Sequence, residues 1–380
     1  EKIVAAQAHH KKIDGHAPDL LGNDLNAYIA AGVYSDHECH DAADAIAKLE
    51  RGQFIMIREG TAARNLQALM PLMTPQYAER CMFCCDDKHP NDLLEKGHID
   101  YNIREAIRLG ADPILTIRVA CHHAARYYLL NNRGAIAPGY LADFVVIDNF
   151  QDFNIQQVFK KGVEMYDGTS VRDFPAPVID PYLVRRAHDT FHLAHLTAED
   201  FAERRPRGII GMVPGEIVTT DQGYSDHIDP EWDILKIAVV ERHKNTRHIG
   251  IGYLQGYGLK RGAVATSVSH DSHNIIVVGA GEEDMAAAVN RVAENRGGIV
   301  VIEGGRVQGE VALPVAGLMS DGTLEEVNSA LEAAKDAAFA LGVSREIDPF
   351  MTLSFMSLPV IPTLRLTTRG VIDVDKQQYV

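Results

Sequence analysis

The sequence predicts an α/β chain made of about half of a (β/α)8 barrel, a small β-sandwich and a C-terminal α+β domain. Three observations carry this. Apolar segments that end in His16, in His37 and in the pair Asp86-Asp87 recur along a βα pattern, and the C-terminal strand ends of such a barrel are where its functional groups gather. Four strand-type segments, at about 11–15, 32–36, 53–58 and 80–85, alternate with helical ones, which is half of the usual eight-unit count. Beyond the Pro-containing stretch Asp173–Pro181, which reads as a linker, strands and helices of another order fill residues 182–380.

The elements follow in chain order. Leu20–Ala31 reads as a helix leading into the strand Gly32–Ser35. Cys39–Arg51 is the next helix, with Ala42, Ala43, Ile46 and Leu49 at helical spacing. Gln53–Arg58 (QFIMIR) reads as a buried strand, Ala62–Met73 as a third helix, and Arg80–Cys85 as the fourth strand. The helices Tyr101–Leu109 and Ile114–Leu130 complete residues 1–135 as the half-barrel. Residues 136–175 carry the strands of the sandwich: Ala142–Ile147 and Phe159–Tyr166, the latter with a tight turn at Lys161-Gly162. In the C-terminal domain the strand candidates are Ile234–Glu241, Ala263–Ser267, Asn274–Gly279, Gly298–Glu303 and Arg306–Val311. The helix candidates are Glu282–Asn295 and Leu324–Leu341. Gly304-Gly305 between two strand runs signals a hairpin.

Composition excludes several classes of partner. The 37 basic and 52 acidic residues give a net charge of −15, which argues against nucleic acid or an anionic membrane, since phosphate binding needs a basic patch. An acidic cavity would tolerate metal ions and a neutral or cationic ligand. No apolar run reaches the ~18 residues of a membrane helix, and EKIVAAQAHHKK does not resemble a signal peptide. Five cysteines, three of them crowded at Cys81, Cys84 and Cys85, fit reduced thiols in a cytoplasmic protein.

Two imidazoles and a carboxylate at strand ends suit a divalent metal such as Mn, Fe or Zn. His16, His37 and Asp86 are therefore the metal-ligand candidates, and activation of water for hydrolysis is the chemistry they suggest. Cys81-Met82-Phe83-Cys84 has the Cys-x-x-Cys spacing of zinc deaminases that act on single-stranded nucleic acid. Arg80 stands in place of their proline and no His-x-Glu precedes it, so that class is rejected.

Five ordered motifs carry a family resemblance. Asp14-Gly15-His16-Ala17-Pro18, Ser35-Asp36-His37-Glu38-Cys39, the run Arg58-Glu59-Gly60-Thr61-Ala62-Ala63-Arg64-Asn65-Leu66, Phe83-Cys84-Cys85-Asp86-Asp87-Lys88-His89-Pro90 and Ser267-Val268-Ser269-His270-Asp271-Ser272-His273-Asn274 resemble bacterial adenine deaminases of the amidohydrolase superfamily. Cys85 and Lys88 depart from the Thr and Arg that the family tends to show. The resemblance implies a metal-dependent hydrolase barrel and hydrolysis of adenine to hypoxanthine and ammonia in purine salvage. It also implies two divalent metal ions, Mn or Fe foremost and Zn as a third option, and a homo-oligomer. The family takes two further metal ligands from a His-x-His on the first barrel strand. No His-x-His occurs here, so the chain is expected to match the C-terminal two thirds of the family enzyme, the other half-barrel lying on another chain, having been cleaved, or falling outside this numbering.

The catalytic candidates are Asp86, Asp87 and Glu38. Asp86 and Asp87 are interchangeable as ligand and neighbouring carboxylate, and either can shuttle a proton to the leaving amine. Glu38 is a second candidate for that role, or for a hydrogen bond to the purine. Asp14 and Asp36 serve either as turn residues or as acceptors that orient the rings. Arg58-Glu59 reads as a structural ion pair, the Cys cluster as buried thiols and His122-His123 as packing or capping groups. His270, Asp271 and His273 are the substrate-binding candidates, and a polar turn between two strands is the other reading of that loop. Two rival functions stand beside the first: another amidohydrolase acting on a cyclic amide or amino-heterocycle, and a non-catalytic fragment that needs the missing half.

Overall fold

In the computed structural model, which describes residues 1–61, 63–174, 177–203, 205–214 and 216–380, the chain divides into two units, Glu1–Ala176 and Pro177–Val380. The division falls in the stretch read as a linker, of which Pro175 and Ala176 lie outside the described residues, as does Ala62 at the start of the third expected helix.

The first unit is built on four parallel strands paired in chain order: β1 (Ile13–Gly15), β2 (Val33–Asp36), β3 (Phe54–Arg58) and β4 (Cys81–Cys84). The helix Gly22–Ala30 joins β1 to β2, and Ala42–Glu50 joins β2 to β3. Asp41 caps the second helix by accepting the Asp44 N–H at 2.9 Å, which satisfies one of the free amides of its first turn. After β3 the expected helix is shorter, Leu66–Leu69 tightening into a 3-10 turn at Met70–Leu72. Alternation along β3 buries both of its faces. Ile55 and Ile57 join Leu66, Leu69, Leu72 and Phe83 in one core, while Met56 packs with Met82 and Tyr127 on the other side.

Downstream, Asp112 and Pro113 start a helix that runs through a π-turn at Arg118–His123 and ends at Tyr127. The turn buries His123, whose Nδ1–H donates to the Cys81 carbonyl at 3.2 Å. Three more strands, β5 (Phe144–Ile147), β6 (Ile155–Lys160) and β7 (Val163–Tyr166), form one antiparallel sheet. Among the described residues these three strands form one layer. Phe144, Val145 and Val146 of β5 are exposed in it. Among the described residues of this unit two short helices, Lys2–Ala8 and Pro90–Glu95, were not expected from the sequence, and in the second unit neither were Pro181–His188 and Met351–Phe355.

The second unit is organised by an eight-stranded sheet of β8 (Arg207–Met212), β9 (Thr219–Ser225), β10 (Leu235–Val240), β11 (Ile249–Gln255), β12 (Ala263–Thr266), β13 (Ile275–Gly279), β14 (Gly298–Glu303) and β15 (Arg306–Ala312). Their spatial order is β15-β14-β12-β13-β10-β11-β8-β9, antiparallel except for β8 with β11. Alternate residues serve opposite layers. Ala238, Val240, Val277 and Val300 pack with the helix Glu282–Glu294, whereas Ile237, Val239, Val278 and Val301 pack with the helix Leu324–Ala340. The turn between β14 and β15 has positive φ at both Gly304 (55°) and Gly305 (72°), the conformation that only glycine takes without strain. A small sheet of β16 (Leu364–Thr367), β17 (Gly370–Asp373) and β18 (Gln378–Tyr379) ends the chain.

Ile237, fully buried at the centre of the large sheet, tests this layering. Ile237→Ala should cost about 2–5 kcal/mol of stability in urea unfolding. A loss within the few tenths typical of surface sites would mean that β10 is not packed on that face.

Candidate functional site

Parallel pairing brings the C-terminal ends of β1, β2 and β4 to one edge of the sheet, and His16, His37 and Asp86 each follow one of those ends. His16 Nε2 lies 2.8 Å from His37 Nε2, a separation that becomes favourable only with a shared proton or a shared cation. Glu38 stands beside them. His16, His37 and Glu38 each offer a ligand atom, all within 4.8 Å of one another. A second such group, Asp19, His40 and Asp41, is exposed, and its Asp41 already caps a helix.

Asp14 sets the orientation of His37. The His37 Nδ1–H donates to Asp14 Oδ2 at 2.7 Å, and the other Asp14 oxygen accepts the Ser35 hydroxyl at 2.7 Å. That bond fixes the tautomer and leaves the Nε2 lone pair facing His16, the usual second contact of a metal-binding histidine. Burial would push the Asp14 carboxyl up, but its hydrogen bonds to His37 and Ser35 outweigh this and hold it low. Burial would likewise depress His37, yet Asp14, Asp86 and Glu38 raise it overall. Negative charge that favours a proton on this ring equally favours a metal cation beside it.

Asp36 does not touch the rings. It lies beneath the strand ends and binds backbone, accepting the Glu38 N–H at 2.7 Å and the Ala17 N–H at 3.2 Å.

Asp86 reaches the group through Arg58. One guanidinium nitrogen, NH1, is 2.6 Å from Glu38 Oε1 and 2.7 Å from Asp86 Oδ2, and NH2 adds a 3.0 Å bond to Glu38 Oε2. The ion pair expected between Arg58 and Glu59 does not form. Neighbouring residues on a strand point to opposite faces, so Arg58 faces the two carboxylates while Glu59 turns away. Burial raises the Glu59 carboxyl, which accepts the Leu66 N–H at 3.4 Å. Asp86 takes a left-handed φ of 55°, which short polar side chains tolerate better than most. Its loop is pressed against Gly60, where a Cβ would come within 2.5 Å of the Cys85 carbonyl and 2.8 Å of that of Asp87. The Thr61 N–H donates to the same Asp87 carbonyl at 2.9 Å.

All five cysteines are free thiols, and burial raises Cys81, Cys84 and Cys85. None of them joins a ligand group among the described residues. His270, Asp271 and His273 lie in the second unit, between β12 and β13. The His270 ring stacks on Phe355, with centroids 4.7 Å apart. Asp271 is exposed, and the His273 carbonyl accepts Arg242 Nε–H at 2.6 Å.

Sequence reasoning missed Arg58 as the link between two carboxylates, and Lys48, whose ammonium is fully buried against Asp36 at 2.8 Å. Strand alternation could have found the first. For the second, the cue was weak: a lysine four residues after Asp44 on an amphipathic helix.

Comparison with known proteins is consistent over the whole chain. The family model described as amidohydrolase family matches residues 1–165, and that of the adenine deaminase C-terminal domain matches residues 215–378. An adenine deaminase of Desulfatibacillum aliphaticivorans is 45% identical over 390 residues, covering 100% of this chain and 67% of the relative. One of Sinorhizobium fredii is 43% identical over 385 residues, covering 99% and 66%. The chain thus spans about two thirds of the length of the curated relatives it matches. Among solved structures, an amidohydrolase from Thermotoga maritima is 19% identical, covers 43% of this chain and 46% of its own, and superposes with a TM-score of 0.32, too low to carry weight.

The Asp14–His37 pair gives a direct test. Asp14→Asn keeps a hydrogen-bond acceptor but removes the charge, so the raised pKa of His37 should fall in the metal-free protein. With Asp14 intact, the pair stabilises the fold fully below the ordinary imidazole value of ~6.5, and this is lost as pH rises through the raised value. In Asp14→Asn that loss should come at lower pH. NMR titration of the His37 ring reads the change, and an unmoved value would assign the shift to Glu38 and Asp86 instead.

Proposed function

The chain belongs to the adenine deaminase family, and on that premise we propose that it carries a large part of the centre that hydrolyses adenine to hypoxanthine and ammonia. The observation that carries the reading is the convergence of His16 Nε2 and His37 Nε2 at 2.8 Å, with Glu38 beside them. The donor set fits a divalent ion: two imidazoles, one already oriented through its far nitrogen, with carboxylates at hand. His16 and His37 would hold the metal, with Asp86 or Glu38 as the carboxylate; manganese or iron is the favoured ion, and zinc the third choice. Metal bound there would lower the pKa of a water toward neutrality.

The chain's own groups supply the rest. Asp14 keeps the His37 Nε2 lone pair turned toward the site. Glu38, Asp86 and Asp87 are the carboxylates that would accept the water proton and return it to the purine amino group as it leaves. Arg58 holds Glu38 and Asp86 in fixed relation, so that their oxygens need little reorganisation during the reaction. Water adds at C6 and ammonia departs, with no redox change. The same reading makes the protein a cytoplasmic enzyme of purine salvage acting as a homo-oligomer. The free thiols support that compartment, and no helix among the described residues is long and apolar enough to cross a membrane.

His16→Ala and His37→Ala decide the metal assignment. Each should lose at least one metal per site and most adenine deamination, measured by metal analysis and by ammonia release. Full metal content and full rate in both would remove these histidines from the centre. Parallel assays on cytosine, guanine and hydantoins separate adenine from the other amino-heterocycles and cyclic amides. Metal analysis of this polypeptide separates an enzyme from a fragment that needs its missing half.

The substrate role expected of His270, Asp271 and His273 belongs to the same proposal. If the loop helps to position purine, Asp271→Asn or His273→Ala should keep metal content and reduce turnover by on the order of 10²-fold. Normal turnover in both variants would leave the loop a polar turn.

A further inference from the structure

Beneath the two histidines lies a charge cluster that the proposed chemistry does not use. Asp36 and Lys48 are both fully buried, and Asp44 nearly so. The Lys48 ammonium is 2.8 Å from Asp36 Oδ2 and 2.7 Å from Asp44 Oδ2, and it donates to Cys39 Sγ at 3.4 Å. Burying three ionised groups is expensive, and such clusters are often no more stabilising than apolar packing of the same volume. Asp44 Oδ1 adds to the cost, since it is buried without a hydrogen-bond partner.

What the cluster does is visible at Asp36. Its two oxygens receive the N–H groups of Ala17 and Glu38, at 3.2 and 2.7 Å. Ala17 is the residue directly after His16, and Glu38 is the residue directly after His37. One carboxylate thus ties together the two chain segments whose side chains meet at 2.8 Å. Lys48 holds that carboxylate from the helix Ala42–Glu50, and Asp44, one turn earlier, holds Lys48.

We propose that Asp36 is a positioning residue, which sets the spacing of His16 and His37 by binding the backbone after each, with Lys48 as its anchor. The proposal rests on the reading of those histidines as metal ligands. Asp44 supplies the control, because it shares the ion cluster but receives no N–H from either histidine segment.

The experiment measures Mn²⁺ affinity by chelator competition, together with thermal melting, on the full protein carrying Asp36→Asn, Asp44→Asn or His16→Ala. Asp36→Asn should weaken Mn²⁺ binding by about 10–100-fold, the usual effect of disturbing groups that orient metal ligands. Asp44→Asn should lower the melting temperature and leave Mn²⁺ affinity at the wild-type value. Should Asp36→Asn not accumulate in folded form, Ala17→Pro carries the test, since it deletes one of the two tied N–H groups and leaves the ion cluster intact. Wild-type affinity in Asp36→Asn, or an equal loss in Asp44→Asn, overturns the positioning role. If His16→Ala weakens binding while Asp36→Asn does not, the inference alone fails. If His16→Ala also binds Mn²⁺ as the wild type does, the metal reading fails and the inference falls with it.

Discussion

Parallel pairing of β1 through β4 is the constraint from which the candidate site follows. Strands that run the same way end at the same edge, so residues far apart in the chain come to lie side by side there. His16 and His37 are 21 positions apart, and Arg58 and Asp86 are 28 apart, yet each pair is in direct contact. None of these contacts could form in a hairpin, where neighbouring strands send their C-terminal ends in opposite directions. The helices between the strands do more than return the chain. The helix Ala42–Glu50 presents Lys48 to the underside of the site, and the segment ending at Tyr127 closes the opposite face of β3 against Met56 and Met82.

Charge in the site is arranged in two tiers. In the upper tier, Glu38 and Asp86 share one guanidinium, so that two acidic groups are held near the imidazoles by a single counter-ion. In the lower tier, Asp36 and Asp44 share one ammonium. Each tier has two carboxylates for one cation, which leaves an excess of negative charge in this part of the fold. Arg and Lys fill these places for different reasons. The planar fork of Arg58 can meet two carboxylates at once, whereas a point charge suits the closed space around Lys48.

The sequence was informative where the relevant signal is local. His16, His37 and Asp86 could be placed at strand ends because each follows an apolar run, and β3 could be read because its centre, Phe54–Ile57, is apolar. Gly304-Gly305 was legible as a hairpin for the same reason. What could not be read depends on contacts distant in sequence. Lys48 looks like a solvated helix residue until Asp36 is placed against it. The partners of Arg58 lie 20 and 28 positions away on other strands. β9 (TTDQGYS) has no apolar alternation, because it borders the large sheet with most of its side chains in solvent. Strands at 142–166 could be counted from the sequence, but how many layers they form could not, because layering depends on contacts distant in the chain. The described residues supply one such layer, with Phe144, Val145 and Val146 exposed on it.

The two borders of the large sheet differ from its interior in what they offer another chain. β9 and β15 stand at its ends, and both are polar, with Asp221 and Gln222 on one and Arg306, Gln308 and Glu310 on the other. Unpaired backbone on a flat apolar border is a template for further strands, and charge along such a border discourages that growth. The interior strands, with Ile, Val and Ala on both faces, would aggregate readily if they lay at the edge. Crowded copies of this chain therefore have little means of continuing the sheet from one molecule to the next. Association through this sheet then falls to side-chain surfaces, where shape and charge restrict the partners.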